Sequence, residues 1–233
     1  LCECLKSSSE MLAIDVFMRE MGFRRSADLE TADLTDRARD LAEAYTEGVN
    51  HVISRRRRPF EFALVGHKPE PWTVADTVIT IKLMSYVGLA QSQQDMEHFL
   101  IQDIRDGTPL DKIQALCRPH VDGLDPSMID ILNKLRLVRH LVSDTIRYLS
   151  AVPTLKASNN WAVSGRRTAT GHAFQCNDPH LECNRLPAIW YEAILHTADD
   201  YRIGATMPGV PGLVMGRTRN LSFGFTYGFM DMV

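Results

Sequence analysis

The hydrophobic period of the sequence changes near Pro153, and this change constrains the fold more than any other feature. Before Pro153, apolar residues recur every three or four positions, which is typical of one face of an α-helix. After it, short apolar runs alternate with turn residues, which is typical of β-strands joined by short loops. The sequence therefore predicts an α+β fold with a helical first half, a short linker and a half that forms antiparallel strands. The three parts are residues 1–150, 151–157 and 158–233.

Three long helices are predicted in the first half, over residues 34–54, about 72–106 and about 126–149. Thr73 is a good N-cap for the second helix, and Asp76 three residues further on completes a capping pattern. The rigid connector Pro69-Glu70-Pro71, which precedes this helix, is predicted to be non-helical. Helical methionines such as Met11 and Met84 are interpreted as core-filling residues rather than as cofactor contacts.

The second half contains six short apolar runs that we predict to be strands. Pro208-Gly209 and Pro211-Gly212 predict a sharp loop between two of them. The sequence has no initiator Met, and the strand pattern continues up to Val233, so we expect the chain to be an internal part of a longer gene product. The predicted strand runs are Trp161–Val163, Ala173–Cys176, Ile189–Leu195, Tyr201–Ala205, Leu213–Met215 and Leu221–Phe225.

The charge of the chain argues against two classes of partner. A formal net charge of −3 gives no electrostatic reason to expect a nucleic acid or an anionic membrane. The basic run Arg55–Arg58 could be a nucleic-acid patch or the solvated end of a helix. The second interpretation is favoured, because the run follows a helical pattern, precedes Pro59 and would complement the helix dipole. No segment is long and apolar enough to span a bilayer.

The cysteines indicate neither a metal site nor a disulfide framework. There are five, which is an odd number, and Cys2-x-Cys4 lacks the second pair of ligands that a zinc site needs. Free or partly buried thiols are therefore expected, and the redox compartment stays open.

Ser158 lies at the joint between the two halves and is the first candidate for chemistry. If the bond after Ala157 is broken, the Ser158 hydroxyl can attack a carbonyl while its own α-amino group takes the proton. An α-amino group has a reference pKa of about 7.7–8, so it is partly unprotonated near neutral pH. Attack by the same hydroxyl on the preceding carbonyl is a route to that cleavage. On local sequence alone, the alternative is a serine that satisfies backbone groups in an Asn-rich turn.

Ordered motifs on both sides of Ser158 resemble the penicillin acylases, cephalosporin acylases and acyl-homoserine-lactone acylases. The resemblance covers nearly the whole chain and is weakest over the first ten or so residues and over residues 107–125. Motifs that resemble the start of the family's β-chain are Ser158–Trp161, Asn177–Leu181, Leu186–Glu192, Pro208–Gly212 and Gly224–Asp231. Motifs that resemble its α-chain are Met21–Arg25, Glu47–Asn50 and Pro69–Trp72.

The resemblance implies the N-terminal-nucleophile αββα sandwich, with Ser158 as the catalytic nucleophile. Tyr227 falls where the family uses a backbone N–H in the oxyanion hole, and an aromatic pocket wall is the alternative role. His180 falls at a position near the nucleophile, where it would position Ser158 through hydrogen bonds. Without the resemblance, His180 would be interpreted as a loop residue. Asn177 and Asp178 are expected to shape a turn below the nucleophile.

The resemblance also implies one structural Ca²⁺, with Glu97, Asp231 and the Val233 carbonyl at the positions of its ligands. The alternative for Glu97 is a carboxylate on a helix surface. No cofactor is expected for catalysis. Self-cleavage would give an α/β heterodimer, and the resemblance implies a periplasmic or secreted location, which the sequence itself leaves unknown. Ala157 stands where Gly is common in the family, and the second oxyanion donor, an Asn, and a nearby Arg are expected beyond Val233.

The activity that the resemblance implies is hydrolysis of the linear amide of a small acylated amine, such as a β-lactam side-chain amide or an acyl-homoserine lactone. We expect an apolar acyl pocket with Phe225, Tyr227 and the helix around residues 84–89. This stretch alone is expected to be inactive, because the site is incomplete and the sheets would have open edges. The alternatives are a non-catalytic homologue that serves as a scaffold with an intact 157–158 bond, and an unrelated helical binding protein fused to a small β-domain.

Overall fold

Among the residues that the structure describes, the helices lie in the first half of the chain and the antiparallel strands in the second. The structure is a computed structural model that describes residues 7–55, 59–86, 91–117, 126–134, 158–180 and 189–226. The predicted α+β class is therefore confirmed. The predicted linker over residues 151–157 lies outside the described residues, and the division into three parts stays a prediction.

The helix predicted over residues 34–54 is present over Asp36–Arg55, so it includes the first residue of the basic run. The stretch predicted as helical from residue 72 to 106 contains two helices, with residues 87–90 between them outside the described part. Only the start of the third predicted helix is described. The helices are α1 (Ser9–Glu20), α2 (Phe23–Ala32), α3 (Asp36–Arg55), α4 (Phe60–Leu64), α5 (Val74–Ser85), α6 (Gln91–Arg105), α7 (Leu110–Cys117) and α8 (Pro126–Lys134).

Local chemistry fixes where α5 begins. The Thr73 hydroxyl accepts the Asp76 backbone N–H at 3.3 Å, and the Asp76 carboxylate accepts the Thr73 backbone N–H at 2.7 Å. These reciprocal bonds are the predicted capping box, and they satisfy two N–H groups that a helix start leaves without an intrahelical partner. The preceding residues 69–71 are non-helical, as predicted. Asn50 of α3 holds the residue before the cap, because its side chain donates to the Trp72 carbonyl and accepts from the Trp72 N–H.

The core of the helical half lies along α1 and where α2 meets α5. Met11, Ile14 and Phe17 share the buried face of α1, which confirms Met11 as a core residue. Ala27 on α2 and Ala75 on α5 are also buried, and their small side chains suit a close approach of the two helices. Within the described residues, no helix is long and apolar enough to cross a membrane.

Within the described ranges, the strands form a two-stranded hairpin and a four-stranded antiparallel sheet in the order β3-β4-β5-β6. Each of the six predicted strand runs overlaps one strand, but β1 begins three residues before its run, β2 ends three residues after its run, and β5 shares only Met215 with its run. In the hairpin, Ser158 pairs with Pro179 and Asn160 pairs with Asn177. The strands are β1 (Ser158–Val163), β2 (Phe174–Pro179), β3 (Tyr191–His196), β4 (Tyr201–Thr206), β5 (Met215–Arg217) and β6 (Ser222–Phe223).

The sharp loop between β4 and β5 docks the sheet on the helices. The Gly209 N–H donates to the Tyr45 hydroxyl of α3 at 3.1 Å. Gly209 has a φ of 91°, and a Cβ there would lie 3.2 Å from the Thr80 side chain and 3.3 Å from the Trp72 ring. Only glycine meets both conditions, because it tolerates positive φ and has no Cβ. The predicted loop is therefore confirmed, and it contacts α3 and α5.

Several large apolar side chains on the strands are exposed to solvent. Ile194 and Leu195, which are neighbours on β3 and so point to opposite faces, are 64% and 47% exposed. On the hairpin, Trp161 and Phe174 are 53% and 51% exposed. The described residues therefore leave both faces of β3 without a packed layer.

Candidate active site

Ser158, the predicted nucleophile, is the first residue of β1. A strand was predicted to follow Ser158, and the structure includes Ser158 in that strand. Cross-strand partners share a face of a hairpin, and alternate residues along a strand share a face. Ser158 and Asn160 therefore lie on the same face as Asn177 and Pro179. This is also the less exposed face of β2, where residues 175, 177 and 179 are half-buried.

The carbonyl of Ser158 is bound by a residue far along the chain. The Thr226 hydroxyl donates to the Ser158 carbonyl oxygen at 2.6 Å. Thr226 directly precedes Tyr227, the predicted oxyanion donor, in the sequence. The backbone of the predicted nucleophile is thus fixed to the segment that leads into the predicted oxyanion hole.

Asn177 connects the same two segments by its side chain. Its Nδ2 donates to the Asn159 carbonyl at 2.9 Å and to the Phe225 carbonyl at 2.8 Å, and its Oδ1 accepts the Phe225 N–H at 3.2 Å. The prediction that Asn177 and Asp178 shape a turn is wrong, since both are strand residues paired with Asn160 and Asn159. Their neighbours Pro179 and His180 suggested a loop, but the hairpin pairing extends through Pro179 and keeps the backbone extended.

Gln175, which lies two residues before Asn177 on the same face of β2, also bonds both to β1 and to the distant segment. Its amide donates to the Asn160 side chain at 2.8 Å and accepts from the Ser222 hydroxyl at 2.9 Å. Gly224 lies between the two amides. A Cβ on Gly224 would be 2.5 Å from the Asn177 Oδ1 and 2.6 Å from the Gln175 Nε2, so the close approach requires glycine at this position.

His180 binds the neighbour of Ser158 in this structure. Its Nε2 lies 3.3 Å from the Asn159 Nδ2, and its Nδ1 lies 3.5 Å from the Asp178 Oδ1. In the tautomer with its proton on Nδ1, His180 can accept from the Asn159 amide through Nε2 and donate toward the Asp178 carboxylate. Asn159 and Asp178 lie on the face of the hairpin opposite to the Ser158 side chain. His180 is therefore close to the nucleophile strand, and the role of positioning Ser158 directly stays a prediction.

An apolar cluster connects the site to helix α5. The rings of Phe225 and Trp190 lie 6.5 Å apart at 56°. Next to Trp190, the buried Ile189 packs against Leu83 and Met84 near the end of α5. Phe225 and the helix around residue 84, both expected to line an acyl pocket, are thus the two ends of one cluster.

Of the remaining predicted site residues, the structure describes only Glu97. Tyr227, Asp231 and Val233 lie outside the described residues. Glu97 is exposed on α6, and the described part of the chain contains no cluster of three or more His, Cys, Asp or Glu that could hold a metal ion. The predicted calcium site needs Asp231 and Val233 beside Glu97, so it stays a prediction. Cys176, the cysteine whose side chain is described, is a free and exposed thiol, as expected.

The long-range bonds of Gln175, Asn177 and Thr226 were not predicted from the sequence, although Asn177 was expected to lie below the nucleophile. Their partners lie 47, 48 and 68 residues away along the chain, so no local pattern indicates the contacts. One signal was available: Gln175 and Asn177 are two apart on a predicted strand or its continuation. Amides at that spacing share one face, and two of them on a face indicate polar contacts there rather than core packing.

This chain matches one family model and several named acylases. The family model described as penicillin amidase matches residues 1–233. An acyl-homoserine lactone acylase QuiP from Pseudomonas aeruginosa is 27% identical over 232 residues, which covers 92% of this chain and 26% of the relative. The penicillin acylase 2 proenzyme from Pseudomonas sp. (strain SE83) is 26% identical over 238 residues, which cover 96% of this chain and 30% of the relative. An acyl-homoserine lactone acylase QuiP from Pseudomonas fluorescens is 26% identical over 218 residues, which cover 90% of this chain and 26% of the relative.

The chain spans between 26% and 30% of the length of these relatives. No solved structure matches it significantly. The family match runs through both the helical half and the strand half, so the motifs in the two halves belong to one continuous similarity.

Proposed function

Because the chain belongs to the penicillin amidase family, we propose that the whole protein hydrolyses the linear amide of a small acylated amine, with Ser158 as its N-terminal nucleophile. The observation that carries this proposal is the bond from the Thr226 hydroxyl to the Ser158 carbonyl. It joins the residue that would attack the substrate to the residue directly before Tyr227, whose backbone N–H would stabilise the charge that develops on the substrate oxygen.

The proposed reaction has two steps with balanced proton transfers. The Ser158 Oγ bonds to the substrate carbonyl carbon while the Ser158 α-amino group takes the hydroxyl proton. The C–N bond then breaks, and the leaving amine takes that proton. Water attacks the resulting ester, the same α-amino group removes a proton from the water, and the Oγ regains a proton as the acid is released.

This chemistry requires a free amine, so the 157–158 bond must be cut first. We propose that the Ser158 Oγ attacks the Ala157 carbonyl carbon, which shifts the preceding chain from nitrogen to oxygen as an ester. Water hydrolyses that ester and leaves a carboxylate on Ala157 and a free α-amino group on Ser158. The word proenzyme in the name of one relative supports such processing, which would yield an α/β heterodimer.

The apolar cluster supports the proposed substrate class. The acyl group would lie against Phe225, near Trp190 and the end of α5, because these side chains are next to the segment bonded to Ser158. An apolar surface favours an acyl chain over a charged group, since removing apolar area from water is favourable. The relatives include both acyl-homoserine lactone acylases and a penicillin acylase, so both amide types are test substrates.

We propose the αββα sandwich as the fold of the whole protein. The exposed apolar residues on both faces of β3 support it, because such a strand is stable only when further layers cover it. In the same proposal, His180 holds the Ser158 strand through Asn159, and Glu97 contributes to a structural Ca²⁺ site with Asp231 and the Val233 carbonyl.

The decisive experiment uses the full-length protein and the substitution Ser158→Ala. Mass spectrometry of the wild-type protein should find a new N-terminus at Ser158, and the variant should remain uncut. Turnover of an acyl-homoserine lactone and of a β-lactam side-chain amide should fall to background in the variant. Ser164→Ala is the matched control, because Ser164 is exposed, lies six residues further on and is expected to change neither readout.

Two results would reject the proposed function. One is an active wild-type protein in which the 157–158 bond is intact. The other is amide turnover that survives Ser158→Ala. An intact bond without any turnover in the wild type would favour the scaffold alternative.

A further inference from the structure

We infer that Asn177 is a positioning residue for the hydrolysis, because its carboxamide sets the register between the backbone beside Ser158 and the backbone that leads to Tyr227. The inference rests on the function proposed above and deepens it. Asn177 would not touch the substrate; it would act through Asn159 and Phe225.

The carboxamide of Asn177 uses both of its donors and its acceptor on backbone groups. One N–H binds the Asn159 carbonyl, and the rest of the group binds the carbonyl and the N–H of Phe225. A peptide unit of a neighbouring strand would bind Phe225 in the same way, so the side chain stands in for a strand. Carboxylate, hydroxyl and alkyl side chains cannot supply two donors and an acceptor from one planar group.

Few other contacts among the described residues fix this register. Strand β6 ends at Phe223, and residues 224–226 have no strand assignment. Within the described part of the chain, residues 224–226 make no backbone–backbone hydrogen bond with the hairpin. The hydrogen bonds to the hairpin come from side chains: Asn177 on Phe225, Thr226 on Ser158 and, two residues before this segment, Gln175 on Ser222.

A small error in this register should affect the reaction strongly. An oxyanion donor stabilises the transition state only when it lies within hydrogen-bond distance of the oxygen that becomes charged. A shift of about 1 Å in a reacting group can lower a rate by roughly 100-fold. The Tyr227 N–H follows Phe225 by two residues, so loss of the Asn177 bonds should shift it relative to Ser158.

The test uses the full-length protein with Asn177→Asp and Asn177→Ala. Asn177→Asp keeps the shape and the acceptor for the Phe225 N–H but directs a carboxylate at two carbonyl oxygens. We expect both variants to fold, with kcat lower by roughly 100-fold and KM within about 3-fold of the wild type. Cleavage of the 157–158 bond should slow as well, because it uses the same hydroxyl. Cys176→Ala is the matched control, since it alters the adjacent residue on the opposite face of β2 and should leave kcat unchanged.

A pH profile separates positioning from a general loss of structure. On protonation, the carboxyl introduced by Asn177→Asp gains one donor and can bind one of the two carbonyls again. The ratio of its kcat to that of the wild type should therefore rise as the pH is lowered toward about 5, whereas the ratio for Asn177→Ala should stay flat.

Each outcome decides one of the two proposals. Wild-type protein that is uncut and inactive contradicts the proposed function and this inference with it. A cut and active wild type with unchanged kcat in Asn177→Ala contradicts the positioning role alone. Failure of both variants to fold assigns Asn177 to structure and overturns the inference, and so does a flat ratio for Asn177→Asp.

Discussion

At the scale of single residues, the candidate site is held together by side chains that bind backbone groups. Thr226 binds the Ser158 carbonyl, and Asn177 binds the Asn159 carbonyl. Two consecutive carbonyls at the start of β1 are thus bound by side chains, one from β2 and one from a segment 68 residues further along the chain. Such bonds contribute little net stability when they are exposed, because water can replace the donor. Their effect should therefore appear in geometry and rate more than in the free energy of unfolding.

Thr226→Val tests this distinction. Valine has the shape of threonine without the hydroxyl, so the Ser158 carbonyl loses its 2.6 Å partner. Because Thr226 is exposed, we expect the free energy of unfolding of the full-length protein to fall by no more than about 1 kcal/mol. The value of kcat should fall by about 10-fold, because the nucleophile backbone is no longer fixed to the oxyanion segment. Steady-state kinetics and thermal unfolding measure the two effects.

Thr226→Ser is the control, because it keeps the hydroxyl and removes only a methyl group. Its kcat should stay within about 2-fold of the wild type. Equal losses of kcat in Thr226→Ser and Thr226→Val would show that the hydroxyl has no part in positioning Ser158.

At the scale of elements, the same arrangement of hydrogen bonds occurs twice. Asn50 binds the carbonyl and the N–H of Trp72, just as Asn177 binds those of Phe225. In both cases the bound residue lies outside a helix or strand, next to the point where an element begins or ends. A carboxamide at such a position satisfies backbone groups that the element leaves without partners. Asn50 thereby fixes the entry to α5 against α3.

Asn50→Ala should loosen the contact between α3 and α5. Both bonds to Trp72 are partly buried, so their loss leaves an N–H and a carbonyl without partners. We expect the free energy of unfolding to fall by about 1–3 kcal/mol, measured by chemical denaturation of the full-length protein. Glu43→Ala is the control, because Glu43 is exposed on the same helix and should change the stability by less than about 0.5 kcal/mol. Similar losses in the two variants would contradict the proposed role of Asn50.

The sequence predicted the features that depend on residues close together in the chain. The capping box needs only Thr73 and Asp76, three residues apart, and its prediction is confirmed. The strand runs and the Pro- and Gly-rich loop likewise follow from period and turn chemistry. The bonds of Asn177 were not predictable in this way, because they depend on the tertiary placement of a segment 48 residues away. The family resemblance identified Ser158, Tyr227 and His180 as candidates but did not indicate how the chain holds them.

At the scale of the whole molecule, the strands need partners that the described residues do not supply. The chain spans 26% to 30% of the length of its relatives. Ile194 and Leu195 expose apolar surface on opposite faces of β3. Exposed apolar surface of this kind favours aggregation or a further layer of the fold. We therefore expect the remainder of the whole protein to cover both faces.

A comparison of the 233-residue stretch with the full-length protein tests this expectation. Expressed alone, the stretch should give no amide turnover, bind an apolar fluorescent dye and exchange its strand amide hydrogens rapidly. Ile194→Ser should then have opposite consequences in the two contexts. In the stretch it should lower dye binding without loss of stability, because the side chain is 64% exposed there. In the full-length protein it should lower the free energy of unfolding by about 2–4 kcal/mol, because a buried apolar side chain is lost.

Glu43→Gln is the control away from the sheet, because Glu43 is exposed on α3 and should be neutral in both contexts. A substitution at a residue that is exposed in both the stretch and the full-length protein should change the free energy of unfolding by the same small amount in each. If Ile194→Ser leaves the full-length protein as stable as the wild type, no further layer covers that face of β3, and the sandwich proposal fails. A large loss in the full-length protein alone would mean that the four-stranded sheet beside the Ser158 hairpin depends on a further layer for its stability, as the sandwich proposal requires.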